Sequence, residues 1–216
     1  MKLLITAATT KEIQPTLDFY KAKLESGAKF LNGSPAFLIT GVGMVSTAFW
    51  LGKIFAENHF DLALNMGIAG SFSRDLSIGE VVCVRQDTIA DLGAQHKEDF
   101  LSVEDLELAA KDDYRFEIDN HLLAPLAGYH AVKAITVNMV HGEQKAIEKV
   151  LERLQPDIET MEGAAFHLAC KNSAVPGFQI RAISNYVEER NRESWDIPLA
   201  VKNLNRELIK IVEALK

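Results

Sequence analysis

Leu62-Ala63-Leu64-Asn65-Met66-Gly67-Ile68-Ala69-Gly70 carries the strongest fold signal in the chain. Residues 62–66 are apolar except for one asparagine, as expected of a strand that is buried on both faces. The glycines after Met66 predict a turn in which the backbone can approach a ligand closely. Strand-like and helix-like segments alternate on both sides of this stretch. This alternation predicts an α/β fold, a three-layer α/β/α sandwich around a central, mostly parallel, mixed sheet.

Hydrophobic periodicity assigns the other elements of the predicted fold. Strands are predicted at residues 3–8, 36–40, 80–89, 129–137 and 177–184, with a short strand starting at Ile158. Helices are predicted after Thr9, after Gly43 (with Val45, Ala48, Phe49, Gly52 and Phe55 at helical spacing), and at residues 143–154, 163–171 and 197–215. Residues 91–128 follow no clear period, apart from a short helix predicted near Val103 to Ala110. Without a linker or repeat, residues 1–216 are predicted to form one domain.

Charge and cysteine content exclude several classes of protein. The net charge is −7 and no basic run is longer than two residues, which argues against a nucleic-acid-binding protein. The apolar part of the N-terminus is too short for a signal peptide, and no apolar run approaches a membrane span. Cys83 and Cys170 are predicted to be buried free thiols, and no Cys or His pair has zinc-site spacing. We therefore expect a cytoplasmic protein without a metal.

Candidate site residues follow the predicted strands, at the edge of the sheet where α/β proteins bind ligands. Gly41-Val42-Gly43 lies between a strand and a helix, but this incomplete pattern is weak support for a dinucleotide site. Glu12 and Met161-Glu162 place carboxylates at strand-to-helix junctions. Each glutamate also has a simpler interpretation, as a first-turn residue that the helix dipole stabilises. Taken alone, none of these motifs identifies a function.

Together and in this order, the motifs resemble those of the nucleoside phosphorylase/nucleosidase superfamily. The matching residues are Glu12, Thr40 to Gly43, Asn65 to Gly70, Gly79 to Val82, Met161 to Ala165 and Arg181 to Asn185. The resemblance implies a three-layer α/β/α domain and a homo-oligomer, either a dimer or a dimer of dimers. It also implies roles for individual residues. Glu12 would activate water, Met161 and Glu162 would bind the ribose, and Gly43, Ile68, Ala69 and Gly70 would contact the substrate.

The attacking nucleophile is predicted to be water rather than phosphate. Phosphorylases of this superfamily carry an arginine just before the Gly-rich stretch, but residues 63–67 include no cation, and the nearest basic residue downstream is Arg74. Phosphate-binding cations from elsewhere in the chain, or from a neighbouring subunit, remain an alternative. A carboxylate near the sugar favours the positive charge that builds up as the bond to the purine breaks. No metal or organic cofactor is needed, because water is the co-substrate.

Asn185 departs from the adenine-specific nucleosidases of the superfamily, which carry an aspartate after the serine of the last core strand. An aspartate suits adenine, because it accepts from the N6 amino group. An amide can instead donate to a 6-oxo group and still accept from a protonated N7. Asn185, taken as the third catalytic residue, therefore predicts hypoxanthine or guanine as the leaving base. Because an amide is not an acid, the source of the leaving group's proton is unassigned.

The segment from Asn185 to Trp195 resembles one branch of the superfamily, the futalosine hydrolases. The likeness rests on Arg190-Asn191-Arg192 and Trp195 after Ser184-Asn185, and on residues 90–94 and 159–163. It implies release of hypoxanthine from an inosine that bears a carboxylated aromatic group at its 5′ end, in an alternative route to menaquinone. Arg190 or Arg192 is a candidate partner for that carboxylate. The simpler interpretation is a solvated loop in which the arginines balance neighbouring glutamates.

Other functions stay open at this point. The alternatives are a methylthioadenosine/adenosylhomocysteine nucleosidase, which Asn185 disfavours, a purine nucleoside phosphorylase, a non-catalytic nucleoside-binding protein and, as a distant third class, a nicotinamide-dependent oxidoreductase. The expected partner is a small purine nucleoside, with no nucleic acid and no membrane. One of His96, His121 and His141 is a candidate to cover the site, but without an assignable partner all three are interpreted as surface residues. The purine-stacking residue is sought among residues 137–140.

Overall fold

The computed structural model describes residues 1–25, 27–118 and 126–215, and it confirms the predicted α/β class. The strands are β1 (Leu3–Ala7), β2 (Phe30–Leu31), β3 (Ala36–Ile39), β4 (Leu62–Ser71), β5 (Val81–Ile89), β6 (Gly93–His96), β7 (Asp99–Ser102), β8 (Arg115–Glu117), β9 (His130–Thr136), β10 (Ile158–Thr160) and β11 (Gly177–Tyr186). The helices are α1 (Thr10–Phe19), α2 (Met44–Glu57), α3 (Gln144–Leu154), α4 (Gly163–Ser173) and α5 (Ile197–Ala214).

The main sheet is mixed, as the sequence predicts. Its strands run in the order β10-β9-β5-β11-β4-β1-β3-β2, and β8 adds to β5. The parallel pairs are β1–β3, β1–β4, β4–β11, β5–β9 and β9–β10. The antiparallel pairs along this order and with β8 are β2–β3, β5–β8 and β5–β11. Strand β10 also pairs antiparallel with β4, so that β4, β11, β5, β9 and β10 close into a ring at one end of the sheet.

Helices cover both faces of the sheet and give it three layers. On one face, Leu17 of α1 and Leu204 of α5 belong to the largest hydrophobic core. On the other face, Leu51 of α2 and Phe166 of α4 pack in a second core with residues of β1, β3 and β4. The carboxyl ends of β1, β4, β10 and β11 are left between these helix layers, so the connections that follow these strands can form a site.

Only part of the apolar stripe by which the sequence predicts α2 faces the core, since Phe55 packs against it. Leu51 and Ile54 are buried, whereas Val45 and Phe49 are 82% and 63% exposed. The helix forms at the predicted place, but Val45 and Phe49 of the stripe lie on its exposed side. An exposed apolar face of this kind is typical of a surface that another molecule covers.

Two of the predicted local structures are wrong. The turn predicted at Gly67 to Gly70 is strand, because β4 continues to Ser71. Pairing with β11 as far as Ser71, and of Gly70 with Glu159 of β10, keeps these glycines extended. The helix predicted near Val103 to Ala110 is replaced by turns and bends after the β6–β7 hairpin.

Cys83 and Cys170 are buried free thiols, which confirms the prediction for both. No helix in the described ranges is long and apolar enough to cross a lipid bilayer. Within the same ranges, no three His, Cys, Asp or Glu side chains come together in a way that could hold a metal ion.

Candidate active site

A cavity of about 430 Å³ opens where β1, β4, β10 and β11 end. Its volume lies in the range of small-molecule sites, roughly 300–1,000 Å³. Most of the residues predicted to bind or act on a substrate line it. These are Glu12, Ile68, Ala69, Gly70, Met161, Glu162, Asn185 and Arg190. Gly43 contacts the site through Glu162, and Arg192 does not line the cavity.

Glu12 uses one carboxylate oxygen to cap its own helix. Oε2 accepts from the backbone N–H of Thr9 at 2.8 Å and from the Thr9 hydroxyl at 2.7 Å, and the Thr9 hydroxyl accepts from the Glu12 N–H. This reciprocal capping box fixes the direction of the side chain. A methyl group on Gly67 would lie 3.4 Å from Oε1, and no described residue hydrogen-bonds that oxygen. Oε2 therefore caps the helix, and Oε1 is available to a ligand.

Glu162 is the N-cap residue of α4, and its carboxylate bonds to the N-terminus of α2. Oε1 accepts from the backbone N–H of Gly43 at 2.8 Å. Gly43 has φ of +91°, a conformation that glycine adopts without strain, and this conformation aims its N–H at the carboxylate. Burial raises the pKa of the Glu162 carboxyl, while the Gly43 N–H and the nearby Arg181 guanidinium oppose that rise. The two predicted carboxylates are thus held by separate backbone contacts.

Arg181 lies close to both carboxylates, and it was not predicted as a site residue. It is only 1% exposed. A methyl group on Gly67, the residue that Glu12 also approaches, would lie 3.0 Å from its Nη1. Burial lowers the pKa of the Arg181 guanidinium, and the carboxylates of Glu162, Asp87 and Glu12 oppose that fall. A buried positive charge therefore balances the anionic side of the cavity.

Asn185 lies on β11 just after an irregularity in the pairing of that strand with β4. Its Oδ1 accepts from the Ser184 hydroxyl at 2.8 Å, and its Nδ2 donates to the Tyr186 carbonyl at 3.0 Å. A side-chain amide has two N–H groups and two acceptor lone pairs, so one of each stays available. The amide is therefore oriented by its neighbours and can still both donate to and accept from a ligand.

The structure separates the two arginines that the sequence could not distinguish. Both guanidinium groups lie over the Trp195 ring, with Cζ 5.2 Å from its centroid for Arg190 and 5.9 Å for Arg192. Arg190 and Trp195 line the cavity, as does Lys11 of α1. Glu188 is paired with Arg74, and neither Arg190 nor Arg192 has a carboxylate partner among the described residues. The structure therefore differs from the simpler interpretation, in which neighbouring glutamates neutralise both arginines.

Glu159 and His141 line the cavity, and Glu159 was not predicted as a site residue. The interpretation of His141 as a surface residue is wrong, since its side chain is 17% exposed and that of Glu159 only 4%. His96 is exposed on β6, as expected, and His121 lies outside the described residues. A signal for Glu159 was present: a carboxylate in the middle of a short buried strand needs a partner.

The segment predicted to hold the purine-stacking residue reaches the cavity through one side chain. Val140 lines the cavity, Val137 is buried in the core, and Met139 is 80% exposed. Val140 is therefore the member of this segment that is placed to contact a ligand in the cavity.

Comparisons with known proteins agree with this architecture. A sequence profile of the phosphorylase superfamily matches residues 2–215. The chain is 30% identical to a futalosine hydrolase from Thermus thermophilus over 203 residues, which cover 86% of this chain and 90% of that protein. An S-adenosylhomocysteine nucleosidase from Streptococcus pyogenes, in complex with 5-methylthiotubericidin, aligns with a TM-score of 0.82 at 20% identity, covering 100% of this chain and 98% of that one. A futalosine hydrolase mutant from Helicobacter pylori aligns with a TM-score of 0.78 at 17% identity, covering 99% of each chain.

Proposed function

This chain belongs to the phosphorylase superfamily, and from that premise we propose that it hydrolyses the N-glycosidic bond of futalosine, releasing hypoxanthine and dehypoxanthine futalosine. One observation carries the proposal: a single cavity holds Glu12, Glu162 and the oriented amide of Asn185 together. The Thermus thermophilus relative named futalosine hydrolase supports the choice of substrate. The activity is therefore that of an N-glycosyl hydrolase.

The two carboxylates have different roles at the sugar. As the bond from C1′ to N9 of the purine breaks, positive charge develops on the ribose ring, and nearby carboxylates stabilise it. Glu162, fixed by the Gly43 N–H at 2.8 Å, accepts hydrogen bonds from the ribose hydroxyls, with Met161 packed against the sugar. Glu12, whose Oε1 is not used for capping, orients the attacking water and accepts its proton.

Asn185 recognises the base. Its remaining N–H donates to O6 of hypoxanthine, and its remaining lone pair accepts from N7 once that nitrogen is protonated. Adenine presents an amino group at position 6, which leaves the amide N–H facing a donor. The methylthioadenosine/adenosylhomocysteine nucleosidase alternative is therefore disfavoured, although nucleosidases of that kind share the fold. A similar fold at 20% identity does not decide between the two bases.

Incubation with candidate nucleosides tests the reaction directly. Futalosine, methylthioadenosine and inosine are each supplied with and without phosphate, and the released base is identified by chromatography. Hypoxanthine is expected from futalosine in phosphate-free buffer. Adenine released from methylthioadenosine as the main product would overturn the substrate. An absolute requirement for phosphate would overturn hydrolysis in favour of phosphorolysis.

Arg190 is the proposed partner of the carboxylate at the 5′ end of futalosine. It lines the cavity beside Trp195 and Lys11, and no described carboxylate neutralises it. A hydrogen bond to a charged group contributes about 1.5–3 kcal/mol. We expect Arg190→Ala to lower kcat/KM for futalosine by about 10- to 100-fold while changing kcat/KM for inosine little, because inosine lacks the carboxylate. Arg192→Ala is expected to cause a smaller loss, since Arg192 does not line the cavity. Equal losses on both substrates would contradict the assignment.

The exposed face of α2 supports a homo-oligomer, either a dimer or a dimer of dimers. Val45 and Phe49 of α2 are 82% and 63% exposed and lie one helical turn apart, and Val42, just before the helix, is 58% exposed. Val42 also lines the cavity, so this face reaches the mouth of the site. Sedimentation velocity measures the state: the wild type is expected to sediment as a dimer or larger, and Phe49→Glu as a smaller species. A wild type that is monomeric at micromolar concentration would exclude this association.

The cytoplasm is the proposed location of the enzyme, and the route from futalosine to menaquinone is its proposed pathway. Cys83 and Cys170 are free, as thiols are in a reducing compartment. Cell fractionation with an antibody against the chain tests the location. Recovery from the periplasm or the medium alone would contradict it.

A further inference from the structure

The cavity contains an ionisable pair to which the proposed reaction assigns no task. His141 Nδ1 lies 2.7 Å from Glu159 Oε2, and the backbone N–H of His141 donates to Oε1 of Glu159 at 3.1 Å. Both residues line the cavity. Among the described residues, His141 is the one group that hydrogen-bonds this carboxylate. A buried carboxylate is costly unless it is paired, so the pair is a unit and not two independent side chains.

Gly70 places this pair next to Asn185. In the sheet, Gly70 pairs with Glu159 of β10 on one side and with Asn185 of β11 on the other. A methyl group on Gly70 would lie 3.2 Å from Asn185 Nδ2 and 3.6 Å from Glu159 Cγ. The missing side chain therefore lets the Asn185 amide and the Glu159 side chain approach the same point, so a base that Asn185 binds also comes near the Glu159–His141 pair.

The geometry points to His141 as the acid that protonates the departing purine, with Glu159 as the residue that positions it. This inference rests on the proposed hydrolysis and supplies the proton that Asn185 cannot. In the imidazolium form both ring nitrogens carry protons. Nδ1–H stays on Glu159, and Nε2–H, which no described residue accepts, is free to act on the base.

The C1′–N9 bond breaks and its electron pair passes to the purine, while the proton on His141 Nε2 moves to N7, so that neutral hypoxanthine leaves. The oxygen of water bonds to C1′, and Glu12 takes the proton that the water loses. Asn185 accepts a hydrogen bond from the new N7–H. Exchange with solvent then returns a proton to His141 and removes one from Glu12.

A substrate whose base needs no proton separates this role from a structural one. In futalosine methylated at N7 the purine is already cationic, and it leaves as a neutral base when the C1′–N9 bond breaks. General acid catalysis contributes about 10²- to 10⁴-fold. His141→Gln and Glu159→Gln are therefore expected to lower kcat for futalosine by about 100-fold or more, and kcat for the methylated substrate by less than about 5-fold. If the wild type does not cleave the methylated compound, 4-nitrophenyl β-D-riboside, whose leaving group also needs no proton, replaces it.

The surface pair of His130 and Glu80 provides a matched control. His130 Nδ1 lies 2.6 Å from Glu80 Oε1, but the His130 side chain is 71% exposed and does not line the cavity. His130→Gln is expected to leave both rates unchanged. Because each variant is compared with itself on two substrates, a partly unfolded preparation lowers both rates alike and leaves their ratio unchanged.

Three results are distinguishable. A selective loss on futalosine in both variants supports the assignment. Equal losses on both substrates, or no loss on either, overturn it and leave the pair with a structural role. A wild-type enzyme that cleaves neither futalosine nor inosine instead refutes the proposed hydrolysis itself.

Discussion

Glu12→Gln is expected to lower kcat for futalosine hydrolysis by about 10²- to 10⁴-fold while leaving substrate binding measurable. The amide cannot take a proton from the attacking water, and it brings no negative charge to the developing sugar cation. Its carbonyl oxygen can still accept from the Thr9 N–H, which the carboxylate now contacts at 2.8 Å. The fold should therefore lose at most about 1 kcal/mol, the typical contribution of a cap.

Single-turnover kinetics and isothermal titration with substrate separate the two effects. Glu143→Gln is the matched control, because Glu143 also accepts from a backbone N–H at a helix start, 2.8 Å from Ala146 N, but does not line the cavity. It should cost similar stability and no activity. If Glu12→Gln keeps a kcat near that of the wild type, Glu12 is only a helix cap. If the wild type binds futalosine without cleaving it, the chain is a nucleoside-binding protein.

Arg181→Met is expected to cost about 3–5 kcal/mol of unfolding free energy, the usual range when one partner of a buried charge cluster is removed. Methionine fills much of the space but leaves Glu12, Glu162 and Asp87 without the positive charge that they face. Urea denaturation at neutral pH measures the loss. Arg206→Met is the control, since Arg206 is 59% exposed and pairs with Glu207 at the surface. Such pairs contribute about 0–1 kcal/mol.

Part of the loss in Arg181→Met should be recovered at lower pH. Burial raises the pKa of Asp87 to about 6, above its ordinary value of 3.8, so the folded state takes up a proton before the unfolded state does. A carboxyl with a raised pKa in the folded state destabilises the fold when ionised, and stability rises as pH falls from 7 towards 4. Without the guanidinium this dependence should steepen. A loss under about 1 kcal/mol at pH 7, or one that grows on acidification, would contradict this account.

Features with local causes were predictable from the sequence. Thr9 followed by Glu12 is a capping signal within four residues, and the structure contains the reciprocal bonds it implies. Gly43 takes a positive φ at the start of α2, as a glycine between a strand and a helix suggests. The order of strands and helices was predictable for the same reason, because hydrophobic periodicity depends only on residues close together in the sequence.

Features that depend on distant pairing were not predictable in this way. The glycines of β4 resemble a turn in the sequence. They are extended because they pair with β10 and β11, which come much later in the chain. The pairing of His141 with Glu159 joins two distant segments, and His141 lies in a connection between a strand and a helix, where periodicity gives no signal. Arg190 and Arg192 have equivalent positions in the sequence, and only the path of the loop puts one of them at the cavity.

The ring formed by β4, β11, β5, β9 and β10 affects how the protein folds during its synthesis. Gly43 and Glu162, which meet at the site, are 119 positions apart, and Asn65 and Arg181 are 116 apart. Contacts so remote in sequence slow folding, because a long loop must close before they form. During synthesis, β4 leaves the ribosome after its neighbour β1 but well before β10 and β11, so the edge that pairs with β11 is at first unpaired. We therefore expect the catalytic centre to form late, and a chain truncated before β10 to be a chaperone client rather than a weaker enzyme.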